Sequence, residues 1–167
     1  GLHPRLANAF LRAPEPWKGL ACDLAALLDG RDPMRGDARR SDDLRTRLSA
    51  LDALRAGRGV RHDVDRGALA RVDQVARQLR QRLRVTERLE VDAHEAGAVI
   101  ALAYPDRIAR QDGTNPLRYQ LSGGRGARLH EDSPLRGEPW LAVAEVRFEE
   151  RDSLVQRAAP VSRDFLD

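Results

Sequence analysis

The segment Leu102–Arg110 marks a change of hydrophobic period, and this change constrains the fold more than any other feature of the sequence. Before it, apolar residues recur every three or four positions, which is typical of amphipathic helices. After Pro105, apolar and polar residues alternate in short runs, which is typical of strands. Because proline disrupts helical hydrogen bonding, we predict an α+β protein, with a helical bundle over residues 1–104 and a β domain over residues 105–167.

The N-terminal part is predicted to form five helices. Gly30 is expected to end the second helix in the left-handed conformation, a polar loop to cover residues 30–41, and Ser41 or Asp42 to cap the third helix. The apolar run Ala98–Leu102 in the last helix also fits a strand, and periodicity alone does not decide between the two. Apolar stripes separated by Gly and Pro place the helices near residues 4–13, 17–28, 42–56, 65–90 and 92–104.

The C-terminal part is predicted to form five short strands, with Gly123–Gly126 as the turn of a hairpin. Tyr119 and Leu121 alternate with Arg118 and Gln120, which is the pattern of a strand with two different faces. Short strands joined by glycine-containing turns predict a small five-stranded antiparallel barrel. The strands are expected near residues 107–110, 117–122, 127–129, 140–149 and 153–161.

Arginine dominates the charge of the chain. Of 29 basic residues only Lys18 is a lysine, and the net charge is +3. A GC-rich genome also produces such a composition, but guanidinium groups bind phosphates through paired hydrogen bonds and stack on bases. Residues 1–130 hold 24 basic and 17 acidic side chains, whereas residues 131–167 hold 5 and 9. A nucleic-acid partner is therefore expected to meet the first of these parts.

The remaining sequence features limit the cellular location of the protein and the chemical reactions that it could catalyse. Cys22 is the only cysteine, so an internal disulfide is impossible and a cytoplasmic location is expected. No apolar run approaches the ~18 residues that span a bilayer. The chain lacks the Gly-rich loop with Gly-Lys-Ser/Thr that cradles ATP phosphates, and its histidines lack zinc-ligand spacing. Asp92–Glu95 has the letters of an Asp-Glu-Ala-His motif in the wrong order, and His130 and Ser133 share one polar loop without a scaffold for a triad. We therefore expect no catalytic residue, metal or cofactor in this chain.

One cluster on the predicted strands is the best candidate for nucleic-acid binding. Arg107, Arg110 and Arg118 supply three guanidinium groups, and Tyr119 supplies one ring. Barrels that bind single strands combine charge for the backbone with rings for the bases. Tyr119 also fits the core of the barrel, and the sequence leaves both roles open.

Two further groups are weaker candidates. The turn Gly123–Gly126 either serves only the hairpin or lets a nucleic-acid strand approach, with Arg125 and Arg128 on its phosphates. A stripe on the fourth helix is either a solvated face or one wall of a nucleic-acid channel. This stripe consists of Arg77, Arg80 and Arg84.

Five blocks of the sequence carry a resemblance: His3–Ala7, Leu20–Leu28 with Arg31–Pro33, Ala103–Arg110, Gly124–Leu129 and Gly137–Leu141. In this order they resemble the HrpB-type bacterial ATP-dependent RNA helicases of the DEAH-box group. Each block alone is a weak signal, but their order and their spread over nearly the whole chain are specific. One departure follows Arg110, where relatives tend to continue with basic residues and this chain has Gln111-Asp112.

The resemblance implies that the chain is a C-terminal fragment of such a helicase. In that family, RecA-like domains use ATP and Mg²⁺, and a winged helix, a helical bundle called the ratchet domain and an OB-fold follow. This chain resembles the bundle and the OB-fold. Its implied role is to guide single-stranded RNA, or DNA, and to couple it to the absent RecA-like and winged-helix domains. The alternative is a protein-interaction platform that positions those domains and barely touches RNA; neither role involves a membrane.

Overall fold

The computed structural model describes residues 4–85 and 92–166, with Phe10 described by its backbone alone. The chain divides into two compact units, which we call the helical unit and the barrel unit. The structure is α+β, as the change of period predicted. The helical unit comprises Gly1–Arg40 and Arg45–Ala93, and the barrel unit comprises Ser41–Leu44 and His94–Asp167.

The described residues up to Val85 contain four α-helices: α1 (Pro4–Arg12), α2 (Glu15–Asp29), α3 (Leu44–Arg55) and α4 (Arg66–Arg82). Helix α1 begins at a proline, which suits a first turn. Helix α4 begins after Asp65, whose carboxylate accepts a hydrogen bond from the Ala68 N–H at 3.1 Å as an N-cap. Helix α4 ends at Arg82, so the predicted continuation through residues 83–85 is wrong, and the predicted extension over residues 86–90 lies outside the described residues.

Two expectations between α2 and α3 are wrong. Gly30 has φ −93° and ψ −179°, so it is extended and not left-handed. A Cβ at Gly30 would lie 3.0 Å from the Ala26 carbonyl oxygen, so glycine leaves room for the last turn of α2. The polar loop is also shorter than expected, because Gly36–Arg40 form a 3₁₀ helix and Met34 forms a β-bridge with Val64.

A buried ion cluster holds the helical unit together. Asp23 of α2 is fully buried, and its two oxygens accept hydrogen bonds from Arg55 at 2.9 and 3.0 Å and from Arg80 at 2.9 Å. Arg55 also donates to Asp73 at 2.7 Å. Burial alone would lower the pKa of Arg55, but the bonds to Asp23 and Asp73 more than offset this and raise it. The arginine therefore stays charged inside the unit.

We predict that Asp23→Asn destabilises the helical unit by about 3–5 kcal/mol, because two buried guanidinium groups lose their shared countercharge. Asp52→Asn is the matched control, since Asp52 pairs with Arg58 at 2.6 Å on the surface, and it should cost no more than about 1 kcal/mol. Urea denaturation followed by circular dichroism measures both. Equal losses in the two variants would contradict the role of the buried cluster.

Five strands form a closed barrel: β1 (Ile108–Asp112), β2 (Asn115–Leu121), β3 (Gly126–Arg128), β4 (Trp140–Phe148) and β5 (Ser153–Pro160). Around the barrel the order is β1-β2-β3-β5-β4, and β4 pairs with β1 to close it. The expectation of a purely antiparallel barrel is wrong, because β3 and β5 pair in parallel. The β4–β5 hairpin inserts between β1 and β3, and β5 then runs in the same direction as β3.

The barrel has an apolar interior that follows the alternation seen in the sequence. Tyr119 and Leu121 face inward from β2, and Leu141 and Val143 face inward from β4. The remaining buried members of this core are Ala109, Ala127, Leu129, Leu135, Val155 and Ala158.

Helix α5 (Ala96–Ala103) packs on β4 and β5. It is a helix, so the alternative of a strand for Ala98–Leu102 is wrong. The sequence assigned it to the bundle, whereas in the structure it belongs with the strands to the barrel unit; the domain limits 1–104 and 105–167 stay a prediction. A four-residue helix, α6 (Arg163–Leu166), follows β5 and was not predicted.

A short segment before α3 also belongs to the barrel unit. The carbonyl of Asp42 accepts a hydrogen bond from the Ala158 N–H at 2.8 Å. Its buried carboxylate accepts from the Ser133 hydroxyl at 2.7 and 2.9 Å. The Asp42 carboxylate therefore binds within the barrel unit, and burial raises its pKa. Ser41 Oγ accepts from the Asp43 N–H at 3.4 Å.

We predict that Gly97→Ala destabilises the barrel unit by about 1–3 kcal/mol or more, because α5 has no space for a methyl group there. A Cβ at Gly97 would lie 1.9 Å from the Pro160 carbonyl oxygen. Gly113→Ala is the control, since nothing lies within 4 Å of a Cβ at Gly113. Denaturation curves of both variants test the packing, and an unchanged curve for Gly97→Ala would refute it.

Candidate nucleic-acid interface

The barrel separates the predicted strand cluster into outer and inner residues. Arg110 and Arg118 are exposed, whereas Tyr119 is 3% exposed and lies in the core. The Tyr119 hydroxyl donates to the carbonyl oxygens of Glu138 at 2.7 Å and Leu135 at 3.3 Å. Burial, with the nearby carboxylates, raises the pKa of Tyr119 to about 12. Of the two roles that the sequence left open, the structure gives Tyr119 the one in the core.

A different aromatic residue, a phenylalanine at the end of β4, is exposed on the surface of the barrel unit. Phe148 is 56% exposed. The guanidinium carbon of Arg125 lies 5.1 Å from its ring centroid, and that of Arg107 lies 5.9 Å away. Arg107 also lies 5.1 Å from the ring of Tyr104. These distances are within the range of cation–π attraction, and we call the four side chains the cation–π array.

Backbone carbonyl groups and one serine hydroxyl fix the two arginines of the cation–π array. Arg107 donates to the Ala144 carbonyl at 3.0 Å. Arg125 donates to Ser153 Oγ at 2.9 Å, to the Asp152 carbonyl at 3.1 Å and to the Glu149 carbonyl. Because neither charge is cancelled by these neutral acceptors, the array presents oriented positive charge beside an exposed ring.

Other arginines near this array are paired with the acidic β4–β5 turn. Arg118 contacts Asp152 at 3.0 Å, and Arg128 contacts Glu149 at 2.7 Å and Asp152 at 3.7 Å. Arg147 contacts Glu149 at 3.5 Å. Ion pairs at this exposure contribute little stability, so a phosphate could exchange with these carboxylates at modest cost. In this structure, the carboxylates of Glu149 and Asp152 compensate the charges of Arg118 and Arg128.

The glycine turn between β2 and β3 is a hairpin turn. Gly124 has φ +96°, a conformation that favours glycine, and nothing lies within 4 Å of a Cβ built there. An open backbone fits both readings of this turn.

The departure from the family pattern after Arg110 has a local explanation, because Asp112 accepts from the Thr114 N–H at 2.9 Å and hydroxyl at 2.8 Å. These bonds hold the β1–β2 turn and lower the pKa of Asp112.

The structure does not bring the three predicted helix arginines together. Arg80 is 3% exposed and belongs to the buried ion cluster on Asp23. Arg77 is exposed and pairs with Asp73 at 3.0 Å. Arg84 lies beyond the end of α4 with φ +55°. These positions make Arg80 a structural residue and leave no continuous arginine stripe.

Sequence reasoning missed Phe148 and Trp140. The guanidinium carbon of Arg110 lies 5.8 Å from the Trp140 ring, directly across the β1–β4 pair. Only seven aromatic residues occur in the chain, namely two Trp, two Tyr and three Phe. Their scarcity was a usable signal, since an aromatic side chain at a polar strand end is then unusual.

Other kinds of site receive no support from the described residues. Within residues 4–85 and 92–166, no three His, Cys, Asp or Glu side chains are grouped so that they could hold a metal ion. In the same ranges, no helix has the length and hydrophobicity to cross a membrane. Cys22 is buried, and burial raises the pKa of its thiol to about 11.

The fold of this chain is similar to parts of two solved structures of proteins described as a DExH-box NTPase and a DEAH/RHA helicase. The chain matches the crystal structure of the Escherichia coli DExH-box NTPase HrpB with a TM-score of 0.72 and 27% identity, over 99% of this chain and 18% of that one. It matches the crystal structure of the E. coli DEAH/RHA helicase HrpB with a TM-score of 0.70 and 26% identity, over 97% of this chain and 18% of that one. The resemblance seen in the sequence is thereby confirmed, and the chain spans about a fifth of the length of these proteins.

No protein-family model matches the sequence, and a comparison with curated proteins finds no match.

We predict that Tyr119→Phe lowers barrel stability by about 1 kcal/mol through loss of the hydroxyl hydrogen bonds and leaves nucleic-acid affinity unchanged. Thermal melting and fluorescence anisotropy with a labelled oligonucleotide measure the two quantities. Equal melting temperatures of the variant and the parent chain would contradict the role of these hydrogen bonds in the core.

Proposed function

We propose that this chain is a non-catalytic accessory module of a DExH/DEAH-box RNA helicase and guides single-stranded nucleic acid. The observation that carries the proposal is the match to two HrpB structures over nearly the whole chain. Its expected ligand is RNA, and single-stranded DNA has the same backbone charge. The two units correspond in this proposal to the ratchet-like bundle and the OB-fold of the parent helicase.

The topology of the barrel supports its assignment as an OB-fold. An OB-fold is a five-stranded Greek-key barrel that binds oligonucleotides on its outer face and loops. Here five strands close in the order β1-β2-β3-β5-β4, with one parallel pair. Strand β4 follows β3 in sequence but lies on the far side of β5, as a Greek-key connection requires.

We propose that single-stranded nucleic acid contacts the barrel at the cation–π array. A base would stack on the exposed Phe148 ring, and phosphates would approach Arg107 and Arg125. Arg110, Arg118, Arg128 and Arg147 would extend the basic surface on the same barrel. Stacking and charge act on every base and every phosphate, so little sequence preference is expected.

The remaining parts of the proposal concern the parent protein. ATP and Mg²⁺ would bind RecA-like domains, which together with a winged helix are the partners of this module. The module would pass their movement to the strand and would not hydrolyse ATP itself. We propose a cytoplasmic location.

A second candidate function is a platform that positions the motor domains with little RNA contact. The observation that favours it is the pairing of Arg118, Arg128 and Arg147 with Glu149 and Asp152, which reduces the positive charge available to RNA.

We predict that the chain binds labelled oligo(U) in fluorescence anisotropy and that affinity falls steeply with salt. Three contacted phosphates would lower it about 10- to 20-fold between about 50 and about 200 mM salt, because binding releases counterions. No binding even at the lower salt concentration would contradict guidance and favour the platform.

We further predict that Phe148→Ala weakens oligo(U) binding by about 1–3 kcal/mol through loss of base stacking. Phe148 is 56% exposed, so the fold should tolerate the change. Leu11→Ala is the matched control, since Leu11 is a 75%-exposed apolar residue of α1 and should leave affinity unchanged. Equal affinity of Phe148→Ala and the parent chain would remove the array from the interface.

A further inference from the structure

A groove of about 630 Å³ lies on the outer face of the barrel unit, and none of the four side chains of the cation–π array lines it. Its floor comes from β1, β2 and β4, and one side comes from α6. Its volume is within the ~300–1,000 Å³ range typical of small-molecule sites. The polar and aromatic groups that line it are Arg110, Gln120, Ser122, Trp140 and Arg163.

Strand pairing places three of these side chains in one row. Arg110 of β1 is directly opposite Gln120 of β2 on one side and Trp140 of β4 on the other. Side chains directly opposite one another in paired strands lie on the same face of the sheet, with Cβ atoms roughly 5 Å apart. The row therefore presents an amide, a guanidinium and an indole to the groove in a fixed order.

The charge of the groove differs from that of the β4–β5 turn. Among the described residues that line the groove, two are arginines and none carries a carboxylate. The β4–β5 turn, by contrast, carries the carboxylates of Glu149 and Asp152. An anion is therefore favoured in the groove, and the indole adds a flat apolar surface for a ring.

The half-buried Trp140 ring is held in place by its neighbours. Arg110 lies 5.8 Å from its centroid, which is a cation–π distance. The Trp140 carbonyl accepts a hydrogen bond from the Val161 N–H at 3.1 Å, which fixes the backbone that carries the ring. A ligand ring thus meets a prearranged surface, which lowers the entropic cost of binding.

We propose that this groove is a binding site for one nucleotide unit. The base lies against Trp140, the amide of Gln120 hydrogen-bonds to its edge, and the phosphate lies near Arg110 and Arg163. The site is additional to the cation–π array and rests on the proposed function only for the source of its ligand. A residue of a bound strand and a free mononucleotide share this chemistry.

Tryptophan fluorescence of a Trp17→Phe variant tests the site, because Trp140 is then the only tryptophan of the chain. The probes are AMP, oligo(A) and inorganic phosphate. We expect oligo(A) to quench Trp140, and phosphate alone to leave it unchanged. Quenching by AMP as well shows that the site binds free nucleotides. Quenching by oligo(A) alone shows that it binds a nucleotide that is part of a nucleic-acid strand. The same titrations on the unsubstituted chain, where Trp17 adds a constant signal, repeat the measurement.

Variants connect the quenching to the groove. Arg110→Ala should weaken it about tenfold, as expected for loss of one stacking or phosphate contact. Arg136→Ala is the matched control, because it removes an exposed arginine of the same unit that does not line the groove. Melting curves of both variants show whether the barrel remains folded.

Three results would overturn the nucleotide site. They are an unchanged Trp140 signal while anisotropy reports oligo(A) binding, quenching of Trp140 by inorganic phosphate alone, and equal affinity of the Arg110→Ala and Arg136→Ala variants. The first of these leaves the proposed function intact, since the strand then binds elsewhere. Absence of binding in both measurements contradicts the proposed function as well.

Discussion

Closure of the barrel is the constraint on which the candidate interface depends. The parallel β3–β5 pair and the antiparallel β1–β4 pair bring together segments that are far apart in sequence. Closure places Tyr119 in the core and leaves Arg110 and Arg118 outside. It also brings the end of β4, with Phe148, beside Arg107 and Arg125.

The two units use arginine in different ways. In the helical unit, Arg55 and Arg80 are buried against Asp23, where they hold helices together and are closed to solvent. In the barrel unit, arginines lie over aromatic rings, against backbone carbonyls or in exposed ion pairs that exchange easily. The local net charge of a segment therefore does not indicate where a polyanion would bind. The binding site depends instead on the acceptors that already surround each guanidinium group.

The sequence predicted the elements better than their contacts. Periodicity located four helices of the N-terminal half and all five strands, because the period of apolar residues is a local property. The parallel pairing of β5 was missed, since barrel closure and not the pattern within β5 selects its partner. The stripe spacing of Arg80 could not reveal Asp23 on another helix. Phe148 was missed because its two guanidinium neighbours come from other parts of the chain, and Trp140 was missed because Arg110, which lies near its ring, is on another strand.

Amide hydrogen exchange of the chain, with and without saturating oligo(U), shows where single-stranded nucleic acid binds. We expect it to bind the outside of the barrel, around the cation–π array and the groove. Exchange should then be slower in residues 104–110, 122–126 and 147–153, with the helices α2 and α4 unchanged. Slower exchange confined to α2 and α4, or none in the barrel while the oligonucleotide is bound, would contradict it.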